Sequence, residues 1–226
     1  TFVLFMTKIK PLNKAETLFY LKKKIKFKDV LILDQISFSK NEYYKNNKKI
    51  LLSIKKKFKK NKIIIRSSAL DEDSNVTLAG KYKSYLNISP QDKNLDKYIK
   101  NIIKDFSNPK DQIFIQKFIN NVDFAGVLFT KEPINGSPYY VINYDYSKKT
   151  NLITSGKNNP TMNILNIYKK KIKINNKFFQ LISATKKIEK LFPNNSLDIE
   201  FAKKNKSLYI FQCRRLNIKK KISYNY

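Results

Sequence analysis

The sequence has no histidine in its 226 residues. The chain therefore cannot itself supply an imidazole as base, nucleophile, metal ligand or phosphate carrier, which closes many enzyme classes to it acting alone. It has one cysteine, Cys213. That excludes an intrachain disulfide and a cysteine metal cluster, and fits a reducing, cytoplasmic setting. No apolar run approaches the length of a membrane span. Thr1 to Met6 is apolar, but too short and without a basic leader, so it does not read as a signal peptide. Arginine occurs only at Arg66, Arg214 and Arg215, and glycine only at Gly80, Gly126, Gly136 and Gly156. Where a composition disfavours these residues, those that remain are read as needed. Arginine gives a fixed fork for phosphate that lysine cannot copy, and glycine permits close backbone approach.

What is abundant is lysine. The formal charge is +30, which invites a nucleic-acid or anionic-surface reading. We discount it, because the lysines are spread over the whole length among asparagine and isoleucine, as default surface residues. An apolar fraction of 42% is ordinary for a folded chain, so disorder is not expected.

Taken in order, Pro11 to Phe27 predicts a helix capped at Asn13, with Leu18, Leu21 and Ile25 at helical spacing. Lys14 sits in its first turn, as a solvated lysine or as the partner of a phosphate at a helix start. Val30 to Leu33 reads as a short strand. Glu42 to Lys60 reads as a basic helix with Ile50, Leu51, Ile54 and Phe58 inside. Lys62 to Ala69 (KIIIRSSA) is a buried strand running into Arg66, Ser67 and Ser68. Two readings of Arg66 compete: an oxyanion contact, or a salt bridge to Asp71, Glu72 or Asp73. In the stretch Thr77-Leu78-Ala79-Gly80, backbone N–H groups can approach a phosphate, although the stretch is not a Walker-type loop. Strands come next at Tyr82–Ile88, Gln112–Ile119, Ala125–Thr130 and Tyr139–Tyr146, with Gly136 turning between the last two. Helices are expected at Leu95–Phe106 and Phe178–Phe192, and a lysine-rich hairpin at Asn163–Lys177. The mixture is α+β.

The last hairpin, LDIEFAKKNKSLYIFQCRR from Leu197 to Arg215, carries the densest polar pattern. Strict alternation places Asp198 and Glu200 on one face of the first strand, and Leu208, Ile210, Gln212 and Arg214 on one face of the second. A two-residue turn at Lys204-Asn205 would put Glu200 across from Tyr209 and leave Gln212 on the far side. A three-residue turn, Lys204 to Lys206, would put Asp198 across from Gln212 and Glu200 across from Ile210. Two carboxylates, a carboxamide and an arginine would then share one face, which suits a divalent metal holding a polyphosphate. The bland alternative is an amphipathic hairpin with a polar outside.

Four stretches in order resemble the nucleotide-binding domain of phosphoenolpyruvate synthase and pyruvate phosphate dikinase. They are IIIRSSALDEDSNVTLAGKYKSYLNI (63–88), QIFIQKFINNVDFAGVLFTKEPINGSPYYVIN (112–143), LITSGK (152–157) and LDIEFAKKNKSLYIFQCRRL (197–216). PLNKAETLFYL (11–21) resembles that family's opening segment. The resemblance implies an ATP-grasp fold with ATP and Mg2+ between two lobes, residues 1–90 and 91–216, and a tail at 217–226. By the same resemblance Lys14 and Arg66 reach the phosphates. Thr77, Ala79 and Gly80 belong to a loop covering them. Gln116, Lys117 and Phe118 lie on the adenine-facing strand. Glu200 and Gln212 hold the metal, supported by Asp198 and Arg214.

The sequence departs from the family in two places. PLNKAETL replaces a glycine-rich opening, and YSKKTN (146–151) replaces Gly-Leu-Gly-Glu. The family passes phosphate through a histidine on a swivelling domain. A chain without histidine would supply only the ATP half-reaction, as one domain of a longer protein or as partner to a phosphohistidine carrier. A small-molecule acceptor, pyruvate or an amide such as glutamine, would complete the transfer. The competing readings are a basic nucleic-acid or surface binder and a catalytically silent ATP-grasp scaffold.

Overall fold

The computed structural model describes residues 13–26, 29–69, 83–147, 163–169 and 177–218. The elements in chain order are α1 (Lys14–Lys24), β1 (Val30–Ile32), β2 (Gln35–Ser39), α2 (Lys40–Phe58), β3 (Ile63–Ser68), β4 (Ser84–Ile88) and α3 (Leu95–Ile103). They continue with β5 (Gln112–Lys117), β6 (Phe124–Phe129), β7 (Tyr139–Asp145), β8 (Asn163–Tyr168), α4 (Phe179–Leu191), β9 (Leu197–Lys204) and β10 (Ser207–Arg215). They build two sheets, one of order β2-β5-β3-β4 and one of order β1-β10-β9-β6-β7-β8.

Alternation along the strands gives the smaller sheet two unlike faces. Ile63 and Ile65 of β3, Ile113 and Ile115 of β5 and Phe38 of β2 bury one face under Tyr43, Ile54 and Phe58 of α2 and Leu95, Ile99, Ile102 and Ile103 of α3. The alternate positions, Ile64, Arg66 and Ser68 paired with Gln116, Phe114 and Gln112, form the other face, directed at the larger sheet. That sheet buries Leu128, Ile142, Ile199, Phe201, Leu208 and Ile210 against Leu18 and Leu21 of α1 and Leu181, Ile182 and Ile188 of α4.

The start of α1 joins the two layers. Asn13 caps it in a capping box with Glu16, as such a pair does at helix starts. The Ala15 N–H donates to Ser68 Oγ at 3.0 Å. The Ser68 hydroxyl donates to Asn13 Oδ1 at 3.0 Å. Gln35 Nε2 donates to the Ala15 carbonyl at 2.8 Å. Ser68, at the end of β3, is therefore a tether for the helix start.

Two scarce glycines have physical work. A Cβ at Gly126 would lie 2.1 Å from the Asn143 carbonyl oxygen, so β6 and β7 can approach only without a side chain there. Gly136, in the β6–β7 turn, has φ +80°, a conformation that disfavours a side chain. Gly80 and Gly156 lie outside the described residues.

The two sheets do not divide the chain at a single point. The chain leaves the larger sheet after β1, builds β2 to β5 as the smaller sheet, and returns at β6. Strand pairing, not sequence continuity, sets the layers, so α3 and β5 belong with β3 while β1 belongs with β10. β2 was not expected. Its five residues, QISFS, run directly into Ser39, the cap of α2, and a run that short carries little periodic signal. Of the lysine-rich hairpin, β8 and Lys169 and Lys177 at its ends are described.

Candidate functional site

The hairpin that carries the polar pattern folds by neither register expected of it. Lys204 pairs with Ser207, so the loop is Asn205-Lys206. Asn205 has φ 53°, which asparagine tolerates better than most residues, and its N–H donates to Asp123 Oδ2 at 2.7 Å. From the loop inward Phe201 pairs with Ile210, and then Gln212 pairs with Glu200, Cys213 with Ile199 and Arg214 with Asp198. Phe211 is an extra residue in the ladder, a β-bulge, and a bulge re-aims the side chains beyond it. Leu208 and Ile210 lie on the apolar face with Phe201, and so does Cys213. Gln212 and Arg214 turn instead to the face of Glu200 and Asp198. The carboxylates, carboxamide and arginine do share one face, as the sequence suggests. The pairing partners differ because the bulge, and not a longer turn, supplies the odd residue.

Arg66 reaches this face from the other sheet. Its Nη1 donates to Glu200 Oε2 at 2.9 Å, with the two side chains only 14% and 12% exposed. Of the two readings of Arg66, the described contact is to a carboxylate 134 residues away; Asp71, Glu72 and Asp73 lie outside the described residues. Arg214 donates from Nε to Asp198 Oδ2 at 2.9 Å, and its Nη2 lies 2.8 Å from the same oxygen in the ion pair. Asp198 Oδ1 is buried without a hydrogen-bond partner among the described residues. Burial pushes the Asp198 carboxyl above the usual carboxylate range, against the pull of Arg214, and nearby Glu200 pushes the same way; Lys14 also acts to lower it. Lys14 itself is buried in the first turn of α1, close enough to Asp198 to be felt. Gln212 is buried beside Glu200.

A small cleft adjoins this cluster, lined by Ile64, Arg66, Gln116, Lys117, Phe118, Ile119 and Phe211. Gln116 is buried, and its Nε2 has no hydrogen-bond partner among the described residues. Lys117, the next residue on the strand, alternates to the opposite face and is exposed. Thr77, Ala79 and Gly80, together with the Thr154–Lys157 loop, lie outside the described residues.

Whether these groups fit a metal is decided by their chemistry. Among the described residues no group of three or more histidine, cysteine, aspartate or glutamate side chains is arranged to hold a metal ion. Glu200, Gln212 and the unpartnered Asp198 oxygen form a sparse set of hard donors. Such a set fits Mg2+, which keeps waters and takes substrate phosphates as ligands, and does not fit a metal that needs a closed protein cage.

Sequence reasoning passed over Asn143. Glu200 pairs with Val127, and Val127 pairs with Asn143, so Asn143 lies on the same face two strands away. Its Oδ1 is buried without a hydrogen-bond partner among the described residues. The available signal was a lone amide inside the apolar strand YYVIN.

Residues 40–111 match the family described as pyruvate phosphate dikinase, AMP/ATP-binding domain. The matched segment runs from the start of α2 to the residue before β5 and contains Arg66. No curated protein matches the sequence. Among solved structures, the D-alanine-D-alanine ligase from Helicobacter pylori is similar with a TM-score of 0.50 and 15% identity, over 92% of this chain and 51% of that one. The D-alanine-D-alanine ligase from Coxiella burnetii has a TM-score of 0.50 and 11% identity, over 93% of this chain and 49% of that one. At these identities the likeness is one of fold, and the fold is ATP-grasp. The chain spans about half the length of the ligases it matches. The resemblance to the phosphoenolpyruvate synthase and pyruvate phosphate dikinase nucleotide-binding domain is borne out over residues 40–111.

Proposed function

We propose that this chain is the Mg-ATP-binding module of a phosphotransferase. It presents the β-phosphate of ATP to a carrier histidine on another domain or chain, and the carrier then serves pyruvate or an amide such as that of glutamine. The observation that carries this reading is the 2.9 Å contact between Arg66 and Glu200, made across two sheets on the face that also holds Gln212 and Arg214.

Phosphoryl transfer asks a protein for positioning and charge neutralisation more than for covalent chemistry. Arg66, Lys14 and Arg214 are the cationic donors for phosphate oxygens. Glu200 and Gln212 would hold magnesium, with Asp198 Oδ1 beside them. Bound magnesium supplies charge neutralisation on the phosphates. The cleft beside Gln116, Phe118 and Phe211 is the place for the base. In the transfer a nitrogen of the carrier imidazole bonds to the β-phosphorus. The bond from that phosphorus to the oxygen bridging to the α-phosphate breaks, and AMP departs with the electron pair; the carrier then holds the β- and γ-phosphates, and the γ-phosphate leaves to water or inorganic phosphate before the β-phosphoryl passes to the acceptor. The exposed lysines of the surface have no part in this.

Calorimetric titration with Mg2+ and a non-hydrolysable ATP analogue tests the reading. The expected result is saturable binding that Glu200→Gln weakens about tenfold or more, the loss of roughly one charge-assisted contact. A basic surface binder would ignore that substitution and lose affinity steeply with salt. Equal binding by both proteins, or none by either, overturns the proposal. AMP formation on adding a histidine-bearing carrier and an acceptor then tests the transfer.

A further inference from the structure

We infer that the site takes its metal and its triphosphate together, as a preformed chelate, and that the Arg66–Glu200 ion pair is the placeholder that enforces this. The inference rests on the proposed function and concerns the chemical form of the ligand that the site admits.

Each member of the pair is what one half of the ligand requires. Arg66 is the phosphate donor brought in by the smaller sheet, and Glu200 is the metal-facing carboxylate of the larger one. Without ligand they bind each other, Nη1 to Oε2 at 2.9 Å, at 14% and 12% side-chain exposure. Neither forms another ion pair among the described residues. Asp198 is paired with Arg214 through its Oδ2.

Separating a largely buried pair from one side leaves the other charge uncompensated, and that is more costly than the pair itself was favourable. A lone divalent cation at Glu200 strands the Arg66 guanidinium. A lone triphosphate at Arg66 strands Glu200 close to Asp198, which already feels its charge, and adds further negative charge there. The chelate avoids both. Its metal meets Glu200 as its phosphate oxygens meet Arg66, so two opposite charges are exchanged for two others and neither partner is left alone. The ligand then bridges the two sheets where the ion pair did.

The test measures the three ligand forms separately. Mn2+ stands in for Mg2+ because its free and bound forms are distinguished by electron paramagnetic resonance, and the non-hydrolysable analogue is titrated with and without metal by calorimetry. In the unaltered chain the chelate is expected to bind at least about tenfold tighter than either component alone. In Arg66→Met, free Mn2+ binding tightens at least about threefold while chelate binding weakens about tenfold, opposite signs from one substitution. In Glu200→Gln, binding of the metal-free analogue tightens and chelate binding weakens. This second variant keeps the question open to test if the first does not fold.

If the unaltered chain binds the chelate but neither variant gains affinity for the component it should, the placeholder is overturned and the ATP reading stands. If the unaltered chain binds no nucleotide in any form, the proposed function and this inference fall together.

Discussion

Glu200 and Gln212 face each other across the β9–β10 ladder only because Phe211 is inserted between Ile210 and Gln212. Without an extra residue, the pairing set near the loop would bring Phe211 opposite Glu200 and carry Gln212 to Ile199, on the apolar face. One bulge therefore separates a hairpin that would turn Gln212 and Arg214 onto the apolar face from one that sets them beside Glu200 and Asp198. On this geometry Gln212 acts through its carboxamide, not its packing. Gln212→Leu keeps the buried volume and is expected to weaken Mg-dependent nucleotide binding about tenfold, about 1.4 kcal/mol, while changing unfolding stability by no more than about 0.5 kcal/mol. Calorimetry and urea denaturation measure the two effects separately. A loss of stability as large as the loss of binding would make Gln212 a core residue.

The Gly126 position makes a sharper structural prediction. The Cβ of an alanine there would lie 2.1 Å from the Asn143 carbonyl oxygen, a contact with backbone that no side-chain rotation relieves. Gly126→Ala is expected to destabilise the fold by about 3 kcal/mol or more, the upper end of what overpacking costs. It should also disturb Asn143, and with it the far side of the Glu200 face. Urea unfolding of the variant checks this, and an unchanged midpoint would refute the close approach.

Much of this was legible in the sequence, for identifiable reasons. α3 is legible because Leu95, Ile99, Ile102 and Ile103 fall at helical spacing and are buried. α1 is legible because Asn13 stands as a cap ahead of Leu18 and Leu21 at helical spacing, both of them buried. Arg66 is legible because arginine is rare in this chain. The bulge was not legible. Period two says which residues alternate, but nothing local says where an extra residue enters, and Phe211 is as good a strand former as its neighbours. The layer boundary was not legible either. β1 is three residues long, and its parallel partner β10 lies far along the chain. Asn143 was missed because an amide in an apolar strand is informative only once its neighbours across the sheet are known.

Ser68 links the fold to the candidate site. Its hydroxyl accepts from the Ala15 N–H and donates to Asn13 Oδ1, both at 3.0 Å, and Lys14 lies between those two residues. Ser68→Ala removes both bonds and leaves a buried N–H without this acceptor. A cost of about 1–3 kcal/mol is expected. Nucleotide affinity should fall as well, because the first turn of α1 sets where Lys14 stands. Ser67→Ala is the control. It is on the alternate face of β3 and should leave affinity unchanged. If both substitutions reduce affinity equally, the tether does not position Lys14.

Cys213 gives a prediction about pH. The bulge places its thiol in the core between β10 and its neighbours, fully buried, and burial pushes its pKa far up, with Asp198 adding in the same direction. Reactivity belongs to the thiolate, so native protein should resist disulfide exchange reagents and react only after unfolding. The stability consequence has a definite sign. In the unfolded chain the thiol ionises near its ordinary value of about 8.5, whereas in the folded chain it stays protonated. Above that pH the unfolded state binds fewer protons, so unfolding becomes more favourable by up to about 1.4 kcal/mol for each further pH unit. The contribution is complete below the unfolded value and lost above it, until the raised folded value is reached. Cys213→Ala should be less stable at neutral pH, from the lost packing, yet should lack this part of the alkaline decline. The gap between the two proteins therefore narrows as pH rises from about 8 to about 10, as tracked by urea midpoints. A gap that stays constant over that range would show that the thiol ionises equally in both states, and so that Cys213 does not sit in the core where the bulge puts it.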